Sequence, residues 1–92
     1  TKTESILSND IFDIDFMLYP NPASSMVNID FTNLPNTDTR LLIIDNNGRI
    51  VVDRNVGSLL NQFDISQFPS GMYFIKTINK DKTNTKKLII KR

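Results

Sequence analysis

From residue 16 onward the chain is built of short runs rich in Ile, Val, Leu, Phe, Tyr and Thr. Turn residues interrupt these runs about every ten positions. Alternation of apolar and polar residues puts every second side chain on one face, so such runs fold as half-buried strands rather than helices. Residues 16–19 form a first strand, stopped by Pro20-Asn21-Pro22, whose prolines remove two ladder donors. Residues 26–31 alternate cleanly, with Val27, Ile29 and Phe31 inward and Asn28 and Asp30 outward, until Asn33-Leu34-Pro35-Asn36 ends the strand.

Residues 40–45 and 49–54 flank Asn46-Asn47-Gly48, a hairpin turn because Asn and Gly tolerate positive φ. Leu41-Leu42-Ile43-Ile44 is apolar on both faces, which predicts a central or covered strand. Residues 59–64 form a fifth strand, and residues 64–71 a turn crossing to the other sheet. Residues 72–79 and 85–91 make a last hairpin around a loop at 80–84. Seven strands without a helix predict an all-β fold, a seven-stranded antiparallel immunoglobulin-like β-sandwich spanning residues 16–92. Residues 1–15 scatter Ile6, Leu7, Ile11 and Phe12 among polar groups without a period and read as a flexible acidic linker.

Ninety-two residues hold one domain. The chain has no His and no Cys, which excludes His-based nucleophile systems, imidazole and thiolate zinc sites, and disulfides. Glu4 is the one glutamate, so a paired-Glu acid–base site is excluded too, and no enzyme is expected. No cofactor or metal is expected either: Asp10, Asp13 and Asp15 lack the spacing, central Gly and closing Glu of a calcium loop.

The net charge of +1 conceals an uneven distribution. Residues 1–15 set Lys2 against Glu4, Asp10, Asp13 and Asp15, whereas residues 80–92 set Lys80, Lys82, Lys86, Lys87, Lys91 and Arg92 against Asp81 alone. A basic end suits an acidic partner, and equally a solvated edge strand that lysines protect from aggregation. Nucleic acid is not an expected partner, because residues 80–92 contain no aromatic on which a base could stack. The apolar runs at 16–19 and 41–44 are four residues each, far from the ~20 of a membrane helix, so no membrane insertion is expected. The chain opens with Thr1 and shows no signal peptide, and reads as a piece of a longer protein.

Phe68-Pro69-Ser70-Gly71-Met72-Tyr73 resembles the corner of immunoglobulin-like and fibronectin type III domains in which a Tyr hydroxyl bonds backbone across the turn. Gly71 would supply a backbone angle or close approach there, with Tyr73 and Ile75 inward. Three segments taken together carry a wider resemblance. Leu18-Tyr19-Pro20-Asn21-Pro22-Ala23 opens the domain, a centre follows with Asp64, Ser66, Gly71 and Tyr73, and the chain closes with Lys86-Lys87-Leu88-Ile89-Ile90-Lys91-Arg92. In order and spacing this set resembles the type A C-terminal sorting domain of the type IX (Por) secretion system of Bacteroidota.

The resemblance implies a secretion signal that directs a covalently linked N-terminal cargo through the type IX outer-membrane translocon. The implied partners are that translocon, its shuttle proteins and a sortase-like peptidase that cleaves within residues 1–15 and joins the cargo to lipopolysaccharide. The implied path is the periplasm in transit, then the cell surface or the medium. Lys86 to Arg92 would be the recognised segment, with Leu88 and Ile90 facing the core, Lys87, Lys91 and Arg92 available, and strand addition at that edge one mode of reading. Pro20, Asn21, Pro22, Asp64, Ser66, Gly71 and Tyr73 would be structural. The alternative is an immunoglobulin-like or fibronectin III-like adhesion or spacer module of a large extracellular enzyme.

Overall fold

The computed structural model describes residues 15–34 and 38–92. The linker and processing region expected before Asp15 lie outside the described residues, apart from Asp15 itself. Seven strands run in order: β1 (Phe16–Tyr19), β2 (Met26–Phe31), β3 (Thr39–Ile44), β4 (Ile50–Val56), β5 (Leu60–Asp64), β6 (Gly71–Asn79) and β7 (Lys82–Ile90). They form a three-stranded sheet, β1-β2-β5, and a four-stranded sheet, β4-β3-β6-β7, with every neighbouring pair antiparallel. Among the described residues no helix is long and apolar enough to cross a membrane.

The inward faces of the two sheets share one core. Val27, Ile29 and Phe31 of β2 are buried as their alternation predicts, and they meet Leu41, Ile43, Tyr73, Ile75, Leu88 and Ile90 from the larger sheet. Each fully buried Ile or Phe contributes on the order of 2 kcal/mol from lost apolar surface, so this cluster carries the fold. Phe16 lies against Phe31, ring centroids 5.6 Å apart, and anchors β1 to the core. β3 is a central strand, as its two apolar faces require.

The β3–β4 hairpin owes its shape to one carboxylate. Asp45 accepts the backbone N–H groups of Asn47 and Arg49, each at 2.9 Å, and the Arg49 guanidinium at 3.1 Å, while Gly48 turns the chain at φ +84°. The Arg49 N–H foremost, then Asn47 and the guanidinium, hold the Asp45 carboxyl below the ordinary range against the opposing pull of desolvation. A bulge between Ile43 and Ile44 lets Val51 and Val52 both pack on the core.

The last hairpin is tighter than the sequence predicts. Asn79 pairs with Lys82, so the expected five-residue loop is a two-residue turn at Lys80-Asp81, and β7 begins at Lys82 rather than Thr85. Lys80 takes φ +56°, a conformation without a Gly or Asn to announce it. β4 likewise runs on to Val56, two residues beyond its expected end, because Val56 and Asn55 pair with Thr39 and Arg40.

Candidate functional site

One end of the sandwich gathers all three motif segments. The connector from β1 to β2 holds Pro20, Asn21 and Pro22, with both X-Pro bonds cis, and crosses to the edge of β7. There the Ile89 N–H donates to Asn21 Oδ1 at 3.0 Å, and Asn21 Nδ2 donates to the Lys87 carbonyl at 3.0 Å. Ala23 continues the pairing: its N–H donates to the Ile89 carbonyl, and its carbonyl accepts the Lys91 N–H, both at 2.8 Å. Ala23 and Ile90 form a parallel bridge and are almost fully buried. A larger side chain at position 23 would push into the core.

These bonds occupy the outward backbone groups of β7 at Lys87, Ile89 and Lys91. Strand addition along that stretch is therefore closed, which corrects the expectation of an open edge there. What the segment presents is its side chains. Leu88 and Ile90 face the core as expected, Ile89 is half-buried on the outer face, and Lys87 and Lys91 are exposed. Lys86 points back over β1, its Nζ 3.4 Å from Asp15 and 5.6 Å from the Phe16 ring centroid.

Arg92 is not available in the way its charge suggests. Its guanidinium donates to the carbonyls of Ile65 and Phe68, and its N–H donates to Ser70 Oγ at 3.3 Å. Arg92 therefore ties the chain's last residue to the corner between β5 and β6. Within that corner, Asp64 Oδ1 accepts the Ser66 N–H at 2.9 Å and the Ser66 hydroxyl at 2.6 Å, and the Ser66 hydroxyl foremost holds the Asp64 carboxyl below its ordinary range.

The Tyr73 hydroxyl donates to the Pro69 carbonyl at 2.6 Å, and its ring stacks on Phe68 with centroids 6.0 Å apart. This is the expected tyrosine corner. Gly71 opens β6 at φ +156°, and nothing lies within 4 Å of the place a side-chain methyl would take, so the need there is conformational rather than one of space. Ala23, Phe68 and Ser70 stand within motifs the sequence offers, but their part in the clamp, like that of the Ile65 carbonyl, has no sequence signal, because backbone acceptors and small side chains leave no pattern.

The arrangement is a clamp of backbone, amide and guanidinium hydrogen bonds. A shallow groove of about 290 Å³ lies between the Asp45–Arg49 turn and the corner. Its carboxylate, Asp45, is already engaged by its own turn. Among the described residues no three acidic groups converge as metal ligands.

One solved structure similar to this chain is a DUF3244 family protein with an immunoglobulin-like β-sandwich fold from Bacteroides vulgatus ATCC 8482. It has 15% sequence identity, a TM-score of 0.67 and 83% of each chain covered, a likeness of fold alone. No curated protein matches the chain. The family of secretion system C-terminal sorting domains matches residues 17–91, a span holding all of the clamp except the Arg92 contacts. The chain belongs to that family, the C-terminal sorting domains of the type IX (Por) secretion system.

Proposed function

We propose that this sorting domain directs a covalently attached N-terminal cargo through the type IX outer-membrane translocon, and that Lys86 to Arg92 is the segment the machinery reads in its folded form. The observation that carries this reading is the clamp. Asn21 and Ala23 hold residues 87–91 from one side, and Arg92 fastens to the corner from the other. A signal held this way offers a receptor a fixed backbone from which the side chains project, so binding carries the rotamer cost of the lysines and little cost of ordering the strand itself. Because the backbone edge at 87–91 is occupied, reading proceeds through side chains, chiefly Lys87 and Lys91, rather than by strand addition.

Residues 1–15 are the proposed processing region, cut by a sortase-like peptidase before the cargo is joined to lipopolysaccharide. The cargo travels through the periplasm to the surface or the medium, carried by shuttle proteins of the same system. The sandwich itself performs no catalysis in this scheme. A reporter fused ahead of residues 1–92, expressed in a type IX-competent cell and in the same cell without its translocon, tests the reading. Surface or medium reporter in the first and periplasmic reporter in the second is the expected outcome. Equal retention in both would contradict it.

A further inference from the structure

The outer face of the larger sheet is apolar where a solvated face carries polar side chains. Alternation sends Leu41, Ile43, Tyr73, Ile75, Leu88 and Ile90 to the core, which leaves Leu42, Ile44, Met72, Phe74 and Ile89 on the opposite side. The register sets Ile50 beside Ile44, Ile44 beside Phe74, and Met72 beside Ile89. Leu42 is outside the core cluster yet only 6% exposed, while Ile50 at the margin is 51% exposed. Each described strand belongs to one of the two sheets, so no described strand remains to cover this face.

Charge on the face is one-sided. Lys87 and Lys91 flank Ile89 on the outward side of the last strand, and Lys76 pairs across β6 with Leu42 and Thr85. Among the described residues none of these three lysines is in an ion pair. The carboxylate that β4 places on this face, Asp53, is held by Arg40 at 2.5 and 2.8 Å.

We propose that this face docks a partner protein surface that is apolar at its centre and carries carboxylates opposite Lys76, Lys87 and Lys91. The inference rests on the sorting-signal reading and deepens it: the recognised surface extends from the final strand across β6 and β3 to Ile50. Charge complementarity selects the occupant. Two copies face to face would bring two sets of three unpaired lysines together. The outer face of the smaller sheet exposes Met17, Tyr19, Met26 and Leu60, but the carboxylates it offers a second copy are Asp30 and Asp64, two against three lysines and the latter already bonded to Ser66. A bilayer is a poor match as well, because these side chains lie half-buried in pleated rows and project no apolar wedge.

The test uses the whole 92-residue domain behind a reporter in a type IX-competent cell, with the thermal midpoint of each purified domain measured alongside. Lys76→Glu/Lys87→Glu/Lys91→Glu is expected to lower export about tenfold or more, whereas the corresponding triple Arg variant keeps it. Phe74→Ser should lower export by a similar factor of about ten, and Phe74→Leu should not. Ile50→Ser, at the exposed margin where folding is indifferent, should lower it about threefold and so covers the event that Phe74→Ser unfolds. Wild-type export with the triple Glu and Ile50→Ser variants exported equally well would overturn the docking face, and with it the reading through Lys87 and Lys91, and leave the domain a sorting signal. Absence of wild-type export would overturn both. Co-flotation of the domain with phosphatidylglycerol vesicles, or a sedimenting dimer abolished by Phe74→Ser, would assign the face to lipid or to self-association instead.

Discussion

The side-chain amide of Asn21 stands beside Ile89 where a neighbouring strand would otherwise lie, its Oδ1 taking the Ile89 N–H at 3.0 Å across a sequence separation of 68 residues. Its Nδ2 donates to the Lys87 carbonyl, so one amide mimics the donor and acceptor of a paired backbone. Asn21→Ala should cost about 1–2 kcal/mol in a denaturant titration. The Ile89 amide should lose hydrogen-exchange protection before those of β6. Unchanged protection at Ile89 would show that Ala23 alone holds the strand.

The corner makes a separable prediction. Tyr73→Phe removes the bond to Pro69 while keeping the ring on Phe68, and should cost about 1 kcal/mol. Gly71→Ala should cost about 1–3 kcal/mol, because φ +156° is rarely adopted by a residue with a Cβ even where space is open. Gly71→Val adds branching to the same penalty. A neutral Gly71→Ala would mean that the backbone relaxes into an ordinary strand angle without disturbing Tyr73.

Much of this was legible in the residues themselves. The alternation of Val27, Ile29 and Phe31, the Asn46-Asn47-Gly48 turn and the Tyr73 corner are local patterns, and each appears in the structure where a period or turn rule puts it. Three features were not legible, for three different reasons. Asn21 reaches β7 only after the whole sandwich has closed, so no local rule refers to it. Arg92 reads as one more charge in a basic end until its carbonyl partners are brought beside it by the β5–β6 crossing. The turn at Lys80 depends on a positive φ in a residue that seldom adopts one, and composition cannot reveal that.

Arg92 and Lys91 should separate in a stability measurement. Arg92→Gln loses the carbonyl contacts that fasten the corner and should lower stability by about 1 kcal/mol, whereas Lys91→Gln, whose contribution to the clamp is its backbone N–H, should fall within about ±0.5 kcal/mol. Equal midpoints for the two variants would contradict the structural part assigned to Arg92.

Acid should unfold the domain by a predictable route. The Phe16 N–H and then Lys86 lower the Asp15 carboxyl, the Arg49 N–H lowers Asp45, Arg40 lowers Asp53, and Ser66 lowers Asp64. A depressed folded value gives stability that is present above the unfolded carboxylate value of about 3.9 and lost as pH falls through the folded values. With no histidine in the chain, the thermal midpoint should change little between about pH 7 and 5 and then fall below about pH 4. Asp45→Asn should weaken that acid dependence. A midpoint unchanged down to about pH 2 would show that these contacts do not stabilise the fold.

Export of a reporter carrying the Lys87→Ser/Lys91→Ser domain, measured beside the wild-type fusion and with both thermal midpoints known, is the most direct test of a folded sorting signal read through its last strand. Arg92 is left intact because it fastens the corner. The expected result is a stable variant, within about ±0.5 kcal/mol of wild type, whose reporter stays in the periplasm while the wild-type reporter reaches the surface or medium. Normal export of that stable variant would contradict reading by the exposed lysines, and a wild-type fusion that is not exported at all would leave the domain as a spacer of the same fold.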